Sequence, residues 1–302
     1  MIPWTERAVH PAHHVNPVQK IDYHVGLRYY LYHIVSHPDE KAMTEAAQFN
    51  AHFDQWKAGQ ATPWMQLRYT LAHEHILQHL PPAPACILDV GGGNGADALP
   101  LAHVGYHVAI LDYSWAMLDD ARQQAQTQQL TAQMTFIEGS LQTLHRTVPK
   151  ESYHMVLCHN IFQYVDAPEH SLDAIYANLV PGGLLSIINP NPASEALHHA
   201  CFGYDLEQAL ASLQPTSRYV PTFETTVNRY TFTQWQSWLQ SHGFALRAHY
   251  GILCVCAYLA DNERKYDPVF YQQLLTLERA MGQIESYIQI ARFMHLIAEK
   301  LP

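Results

Sequence analysis

Between Ile87 and Ala102 the chain reads ILDVGGGNGADALPLA: an apolar strand-sized run breaks into glycine and restarts as a helical pattern. Gly91, Gly93 and Gly95 can take backbone angles closed to other residues and let a ligand approach the main chain closely. A strand, a glycine loop and a helix in that order mark a cofactor loop. The run also satisfies G-x-G-x-x-A, the dinucleotide fingerprint, so taken alone it leaves the ligand open. Asp89, two positions before Gly91, suits a ligand carrying an ammonium and a sulfonium better than one carrying a pyrophosphate.

The chain has 302 residues, 48% of them hydrophobic, enough for one large α/β domain with an insertion or two small domains. No apolar run approaches the roughly 20 residues needed to cross a membrane, and the N-terminus has no basic stretch followed by an apolar one. Both point to a cytoplasmic protein. Cys86, Cys158, Cys201, Cys254 and Cys256 are odd in number and scattered, which suits reduced thiols. Cys254 and Cys256 would share one face if that stretch is a strand. A formal charge of −10 argues against a phosphate backbone as partner. His10, His13 and His14 lack carboxylate or cysteine partners at ligand spacing, so no metal site is expected.

Three helical patterns precede the loop: Val18 to Val35, about Asp39 to Trp56, and about Trp64 to Gln78, stopped by Pro81-Pro82-Ala83-Pro84. From Cys86 onward, apolar runs alternate with helical patterns: Cys86 to Val90, His107 to Leu111, Met134 to Ile137, Tyr153 to Cys158 and Leu184 to Ile188. Such alternation predicts a doubly wound parallel sheet, with ligands at the carboxyl ends of its strands. Asn189 to Tyr230, rich in Pro, Ser and Thr, reads as a cap over that edge. A helix over Thr233 to Ser241, a strand-pair region over Phe244 to Leu259 and a helix over Asp267 to Met281 follow. The stretch from Ser286 to Lys300 fits a helix or a strand.

Asp112 closes the second strand, 19 positions beyond Gly93, where a carboxylate can accept both ribose hydroxyls of any adenosine cofactor. The residues after it discriminate. Asp112-Tyr113-Ser114-Trp115-Ala116-Met117-Leu118, together with the loop, resembles the motifs of the class I S-adenosylmethionine-dependent methyltransferases. That resemblance implies S-adenosylmethionine as cofactor and a Rossmann-like sheet with an N-terminal helical lid. It implies Met117 and Leu118 against the adenine, and Ser140-Leu141, after the third strand, near its amino group. The turn at Pro181-Gly182-Gly183 resembles the one that family places before its fifth strand.

FDQWKAGQATPWMQLRYTLAHEHI, CHNIFQYVDAP and YQQLLTLERAMGQIESYIQIARFMHLIAEK narrow the resemblance to the tRNA 5-carboxymethoxyuridine methyltransferase family, over about residues 49 to 300. By that resemblance residues 1–84 are an extension and helical lid, and residues 85–302 form the methyltransferase domain, with a cap insertion at 190–231. Arg68 would pair with the cofactor's carboxylate, a role suited to a guanidinium fork. His159 would lie near the methionine moiety, Asn160 and Tyr164 would face the acceptor, and Arg292 to Lys300 would be the last strand. His159 is also the nearest candidate base for an amine or phenol acceptor. Tyr23, Tyr30, Trp64 or Tyr204 could stabilise the sulfonium through their ring faces.

One departure bears on the acceptor. The family's cap carries a lysine-rich run, whereas Phe202 to Thr231 offers only Arg218 and Arg229. Neutralised phosphates supply most RNA affinity. The expected reaction is therefore methyl transfer to a small carboxylate- or hydroxyl-bearing metabolite, with tRNA as the alternative. A cyclase or lyase use of the cofactor and a non-catalytic sensor stand behind these two, because binding motifs name the cofactor and not the bond that breaks.

Overall fold

The computed structural model describes residues 53–165, 167–213, 218–220 and 225–302, with the backbone alone at Gln55, 218–220 and 225–226. The expected helix over Val18 to Val35, most of the next one, and His10, His13, His14, Tyr23 and Tyr30 lie outside these residues. The chain enters through helix α1 (Phe53–Gln60) and helix α2 (Pro63–His79), whose proline sits at the first turn, where no intrahelical N–H is needed. Strands β1 (Cys86–Val90), β2 (His107–Asp112), β3 (Met134–Glu138), β4 (Tyr153–His159) and β5 (Leu179–Pro190) are parallel neighbours. They alternate with α3 (Ala98–His103), α4 (Trp115–Thr127) and α5 (Glu169–Asn178).

Beyond β5 come a short hairpin of β6 (Arg218–Val220) and β7 (Thr225–Val227), then α6 (Phe232–Ser241), β8 (Phe244–Ile252), α7 (Pro268–Met281) and β9 (Phe293–Lys300). The main sheet has seven strands in the order β3-β2-β1-β4-β5-β9-β8, with β9 antiparallel to both neighbours. This is a Rossmann-like doubly wound sheet. Strand order reverses between β1 and β4, and a crevice for ligand opens there at the carboxyl edge.

Alternation along the strands sorts the core. Leu88, Val156, Cys158, Leu185, Ile187 and Leu296 face α5 and α6, while Ile87, Ile110, Met155 and Leu157 face α3 and α4. On that second face a separate apolar cluster joins Leu67, Leu71, Ile188, Phe293, Leu274 and Leu275 beneath α2 and α7. Between these two clusters, at positions of the same parity, the strands place His159, Ser186, His295 and Tyr250. Helix α2 lies above them and turns Arg68 and His75, both buried, toward the same line. A polar seam thus divides the apolar face.

Two expectations are corrected. The region Phe244 to Leu259 is not a strand pair: β8 ends at Ile252, Leu253 turns at φ 59°, and the chain tightens into a 3-10 turn over Cys256–Tyr258. Buried Glu278 of α7 causes it, accepting the N–H groups of Cys254 (2.6 Å), Val255 (2.9 Å) and Cys256 (2.6 Å). Successive strand N–H groups point opposite ways, so three in a row cannot serve one carboxylate from a strand. Cys254 and Cys256 therefore share no strand face. The stretch from Ser286 resolves into both alternatives, a helical turn over Glu285–Ile288 and then β9, which starts at Phe293 rather than Arg292.

Candidate functional site

A cavity of about 570 Å³ opens at the carboxyl edge of β1, β2 and β4. Its floor is the backbone of Gly91 to Asn94. Gly91, at φ 66°, passes directly beneath Ile161, and a Cβ there would collide with the Ile161 side chain. Gly93, at φ 53°, donates its N–H to Asp112 Oδ2 (2.9 Å), while Asp112 Oδ1 accepts from Ser114 N–H (2.8 Å). One carboxylate thus ties the glycine loop to the start of α4. Ser114 caps that helix by accepting from Met117 N–H. Burial raises the Asp112 carboxyl above its ordinary range, against the bonds from Ser114, Gly93 and Tyr113.

Arg68, Asp89, Gly91, Gly93, Asp112, Tyr113, Met117, Ser140, Leu141, His159, Asn160 and Tyr164 all line this cavity, so residues spread over 97 positions meet at one edge. Gly95 does not line it, because it packs against Leu99 and Ile110, and Leu118 turns into the core under α4. Trp64 is buried edge-on against Tyr266 beside α7, and Tyr204 is exposed, so neither ring faces the cavity. The rings that do are Trp56, Tyr69, Tyr113 and Tyr164.

Asp89 lies under Gly92, fully buried, with Oδ2 lacking any protein partner. Burial, with the Asp97 and Asp112 carboxylates adding to it, lifts its carboxyl well above the usual range. A cation placed there would reverse that shift. Across the cavity, Asp97 at the start of α3 receives Arg68 Nη1 (3.3 Å) and His159 Nδ1 (2.9 Å), with His73 Nε2 at 3.5 Å. Burial disfavours its charge, yet Arg68, His159 and His73 together outweigh burial and hold this carboxyl well below the ordinary range.

The seam continues inward from Asp97. His159 Nε2 lies 2.9 Å from Ser186 Oγ, Ser186 Oγ 2.8 Å from His295 Nε2, and His295 Nδ1 3.2 Å from His75 Nδ1, whose ring stacks on Tyr250 at 4.0 Å. With Asp97 ionised and His159 kept neutral by burial, the protons have one arrangement. His159 Nδ1–H donates to Asp97, Ser186 O–H donates to His159 Nε2, His295 Nε2–H donates to Ser186, and His75 Nδ1–H donates to His295 Nδ1. All three imidazoles are then neutral. Burial agrees, lowering His159, pushing His295 well below its usual value and His75 to about 4.

Comparison with known proteins follows the same edge. The family profile described as "Methyltransferase domain" matches residues 87–183, from the middle of β1 to the Pro181 turn. A tRNA 5-carboxymethoxyuridine methyltransferase of Escherichia coli O157:H7 is 28% identical over 244 residues, covering 80% of this chain and 87% of that protein. The structure of an S-adenosylmethionine dependent methyltransferase from Mesorhizobium loti superposes with a TM-score of 0.53 at 20% identity, covering 76% of this chain and 98% of that one. Magnesium protoporphyrin IX methyltransferase from Synechocystis PCC 6803, solved with SAH bound, gives 0.54 at 16% identity, covering 83% and 96%.

Residues 87–183 are thus a methyltransferase domain, set on the seven-stranded sheet found in class I S-adenosylmethionine-dependent methyltransferases. The residues of this methyltransferase fit the cofactor. Gly91 to Asn94 leave backbone open to a close ligand, Asp89 presents a buried unpartnered oxygen, and Arg68 brings a guanidinium to the same cavity. The cavity also lies within the roughly 300–1,000 Å³ range of small-molecule sites.

Sequence reasoning missed Asp97, Ser186, His295 and His75. Asp97 follows the glycine loop immediately, and its meaning appears only when Arg68 and His159, 29 and 62 positions away, converge on it. Ser186 and His295 left a fainter signal: each is a single polar residue inside an apolar run, LLSII and FMHLI. His159, in turn, differs from its expected role. Both ring nitrogens are engaged within the protein, so it offers no lone pair to an acceptor's proton.

Proposed function

We propose that this methyltransferase transfers a methyl group to a small molecule bound between the glycine loop and the 159–165 segment. The observation that carries this reading is one cavity walled on one side by Gly91 to Asn94 and on the other by Asn160, Ile161, Gln163 and Tyr164. Cofactor and acceptor would share it. S-adenosylmethionine, when bound, supplies an electrophilic methyl carbon on its sulfonium. Arg68 would hold the carboxylate of that cofactor, Asp89 its ammonium, Asp112 the ribose hydroxyls, and Met117, Ser140 and Leu141 would border the adenine. Methyl transfer is an in-line displacement, so the chain contributes chiefly by orientation. Asp97 sets the angle of Arg68, and the seam behind it keeps the His159 ring from turning.

Charge supports a small acceptor over RNA. The chain carries −10, and Arg229 of the cap is bound to buried Glu195 at 2.5 Å instead of facing outward. Among the described residues no helix is long and apolar enough to cross a membrane. We read the enzyme as cytoplasmic, in keeping with its five free cysteines. Transfer to a tRNA carboxylate is the second reading, favoured by the 28% identity over 244 residues.

The test incubates the protein with S-adenosylmethionine and either a deproteinised metabolite extract or bulk tRNA. S-adenosylhomocysteine is expected with the extract. Its release only with tRNA would establish the second reading, and methylthioadenosine in its place would mean that a carbon–sulfur bond other than the methyl's is broken.

A further inference from the structure

The acceptor end of the cavity has its own chemistry, and it is more selective than the cofactor end. At the carboxyl end of β4 the chain turns through Asn160, a non-glycine residue at φ 56° whose N–H is held by Ile188 O at 2.7 Å. Asparagine tolerates this left-handed geometry better than most side-chain-bearing residues. The turn sets the Asn160 amide in the cavity wall. Its Oδ1 is buried with no protein partner, and so is Oε1 of Gln163, which lines the same wall. The backbone around them is fixed: Gln163 O accepts from Asn228 N–H (2.8 Å), and Val165 O accepts from Asn228 Nδ2 (3.1 Å) and the Tyr230 hydroxyl. Two buried carbonyl oxygens without donors leave an unmet desolvation cost, which a ligand bearing N–H groups would remove.

Charge points the same way. Among the described residues lining the cavity, the carboxylates are Asp89, Asp97 and Asp112, and the single permanent cation is Arg68, already bonded to Asp97. If Arg68 also takes the cofactor's carboxylate, no cationic side chain of that lining is left for a second carboxylate. A hydroxyl acceptor would need a base to take its proton, and both nitrogens of His159 are engaged with Asp97 and Ser186. A neutral amine needs neither a counter-cation nor a base during transfer.

We propose that the acceptor is a small primary amine, its two N–H groups donating to the side-chain carbonyls of Asn160 and Gln163. This rests on the small-molecule reading above and replaces the carboxylate- or hydroxyl-bearing metabolite expected from sequence. The amine enters as its free base. Its nitrogen lone pair forms the N–CH3 bond as the S–CH3 bond breaks, the bonding pair returns to sulfur as a neutral thioether, and the methylated ammonium releases its proton to bulk water.

The experiment supplies methyl-labelled S-adenosylmethionine with a deproteinised extract of the source cells, separated by ion exchange into cationic, neutral and anionic fractions, and with bulk tRNA in parallel. Label is expected in the cationic fraction, in a product stable to mild base, at a rate that rises with pH as the amine deprotonates. Gln163→Leu, at a position without left-handed backbone, should cut that label more than tenfold while S-adenosylmethionine affinity, read by calorimetry, stays within threefold. Label in the anionic fraction that mild base releases as methanol, or base-stable label in the neutral fraction, overturns the amine assignment and leaves the small-molecule reading standing. Label in tRNA overturns the small-molecule reading itself. Label in no fraction counts against both.

Discussion

The two walls of the cavity are built by different means. On the β1–β2 side, the floor is backbone: four consecutive residues expose their main chain, and Asp112 is occupied by the backbone N–H groups of Gly93, Tyr113 and Ser114. On the β4–β5 side, the wall is braced by a relay of side chains: Arg68, Asp97 and His159, which line the cavity, and Ser186, His295 and His75 behind them, drawn from α2, the start of α3, β4, β5 and β9. A backbone wall is vulnerable mainly to an added Cβ. A side-chain wall can be broken by deleting any one member, because each buried partner is left with an unmet donor, acceptor or charge.

The largest effect should come from Asp97, the only anion in the relay. Asp97→Ala leaves the Arg68 guanidinium buried with its counter-charge gone, a change expected to lower unfolding stability by about 3–5 kcal/mol. S-adenosylmethionine affinity, measured by calorimetry below the melting transition, should fall more than tenfold as Arg68 loses its anchor. Normal affinity in a folded Asp97→Ala protein would mean that the relay is structural only. On the backbone wall the matching test is a pair. Gly91→Ala drives a Cβ into Ile161, whereas Gly93→Ala meets nothing closer than Trp56 at 3.6 Å and bears only the strain of φ 53°, about 1–2 kcal/mol. The first should abolish measurable cofactor binding and the second weaken it severalfold, so equal losses would show that strain and not collision governs the loop.

The same division decides what the sequence made legible. The glycine loop, Asp112 and the alternation of parallel strands with helices were readable because each is local: a turn and its flanking strand lie within a dozen residues, and their spacing carries the meaning. Met117, Ser140, Arg68 and His159 were reached only through resemblance to a family, since an arginine on a helix, for one, has no local sign of burial. Ser186, His295 and Asp97 were not reached at all. Their roles exist only after β4 pairs with β5, placing Leu157 opposite Ser186, and β5 with β9, placing Ile188 opposite His295, long-range register that no local pattern encodes. The turn at Cys254 to Cys256 was misread for the same reason, because its cause is Glu278, more than 20 residues away.

Ser186→Ala isolates the middle of the relay without removing a charge. It strips the donor from His159 Nε2 and the acceptor from His295 Nε2–H, an expected loss of about 1–3 kcal/mol in urea unfolding. Acid probes the far end of the relay. His75 is held near 4 in the fold against an ordinary 6.5, so the unfolded chain binds the extra proton between those values. Stability from this group is therefore complete above about pH 6.5 and is lost as pH falls toward 4. His295, also lowered, acts in the same direction. Unfolding midpoints should fall steadily from pH 7 to pH 5, and a flat profile would mean that the buried imidazoles are not held neutral.

The smallest effect should come where α1 meets the glycine loop. Lys57 pairs with Asp120 at the surface, while Gln60 and Asn94 exchange reciprocal amide bonds beneath it, Asn94 Nδ2 to Gln60 Oε1 at 2.8 Å and Gln60 Nε2 to Asn94 Oδ1 at 3.2 Å. Lys57 is nearly half exposed, and ion pairs of that kind contribute about 0–1 kcal/mol. Asp120 also keeps Asn94 Nδ2 and Gln124 Nε2 when the lysine is gone. Lys57→Ala should therefore shift stability by less than about 1 kcal/mol and cofactor affinity by less than threefold, with the difference vanishing in high salt. A tenfold loss of affinity would place α1 among the energetic supports of the loop. The β1–β2 wall would then depend on side chains from a distant helix, as the β4–β5 wall does, and the contrast between the two would narrow to the backbone of Gly91 to Asn94.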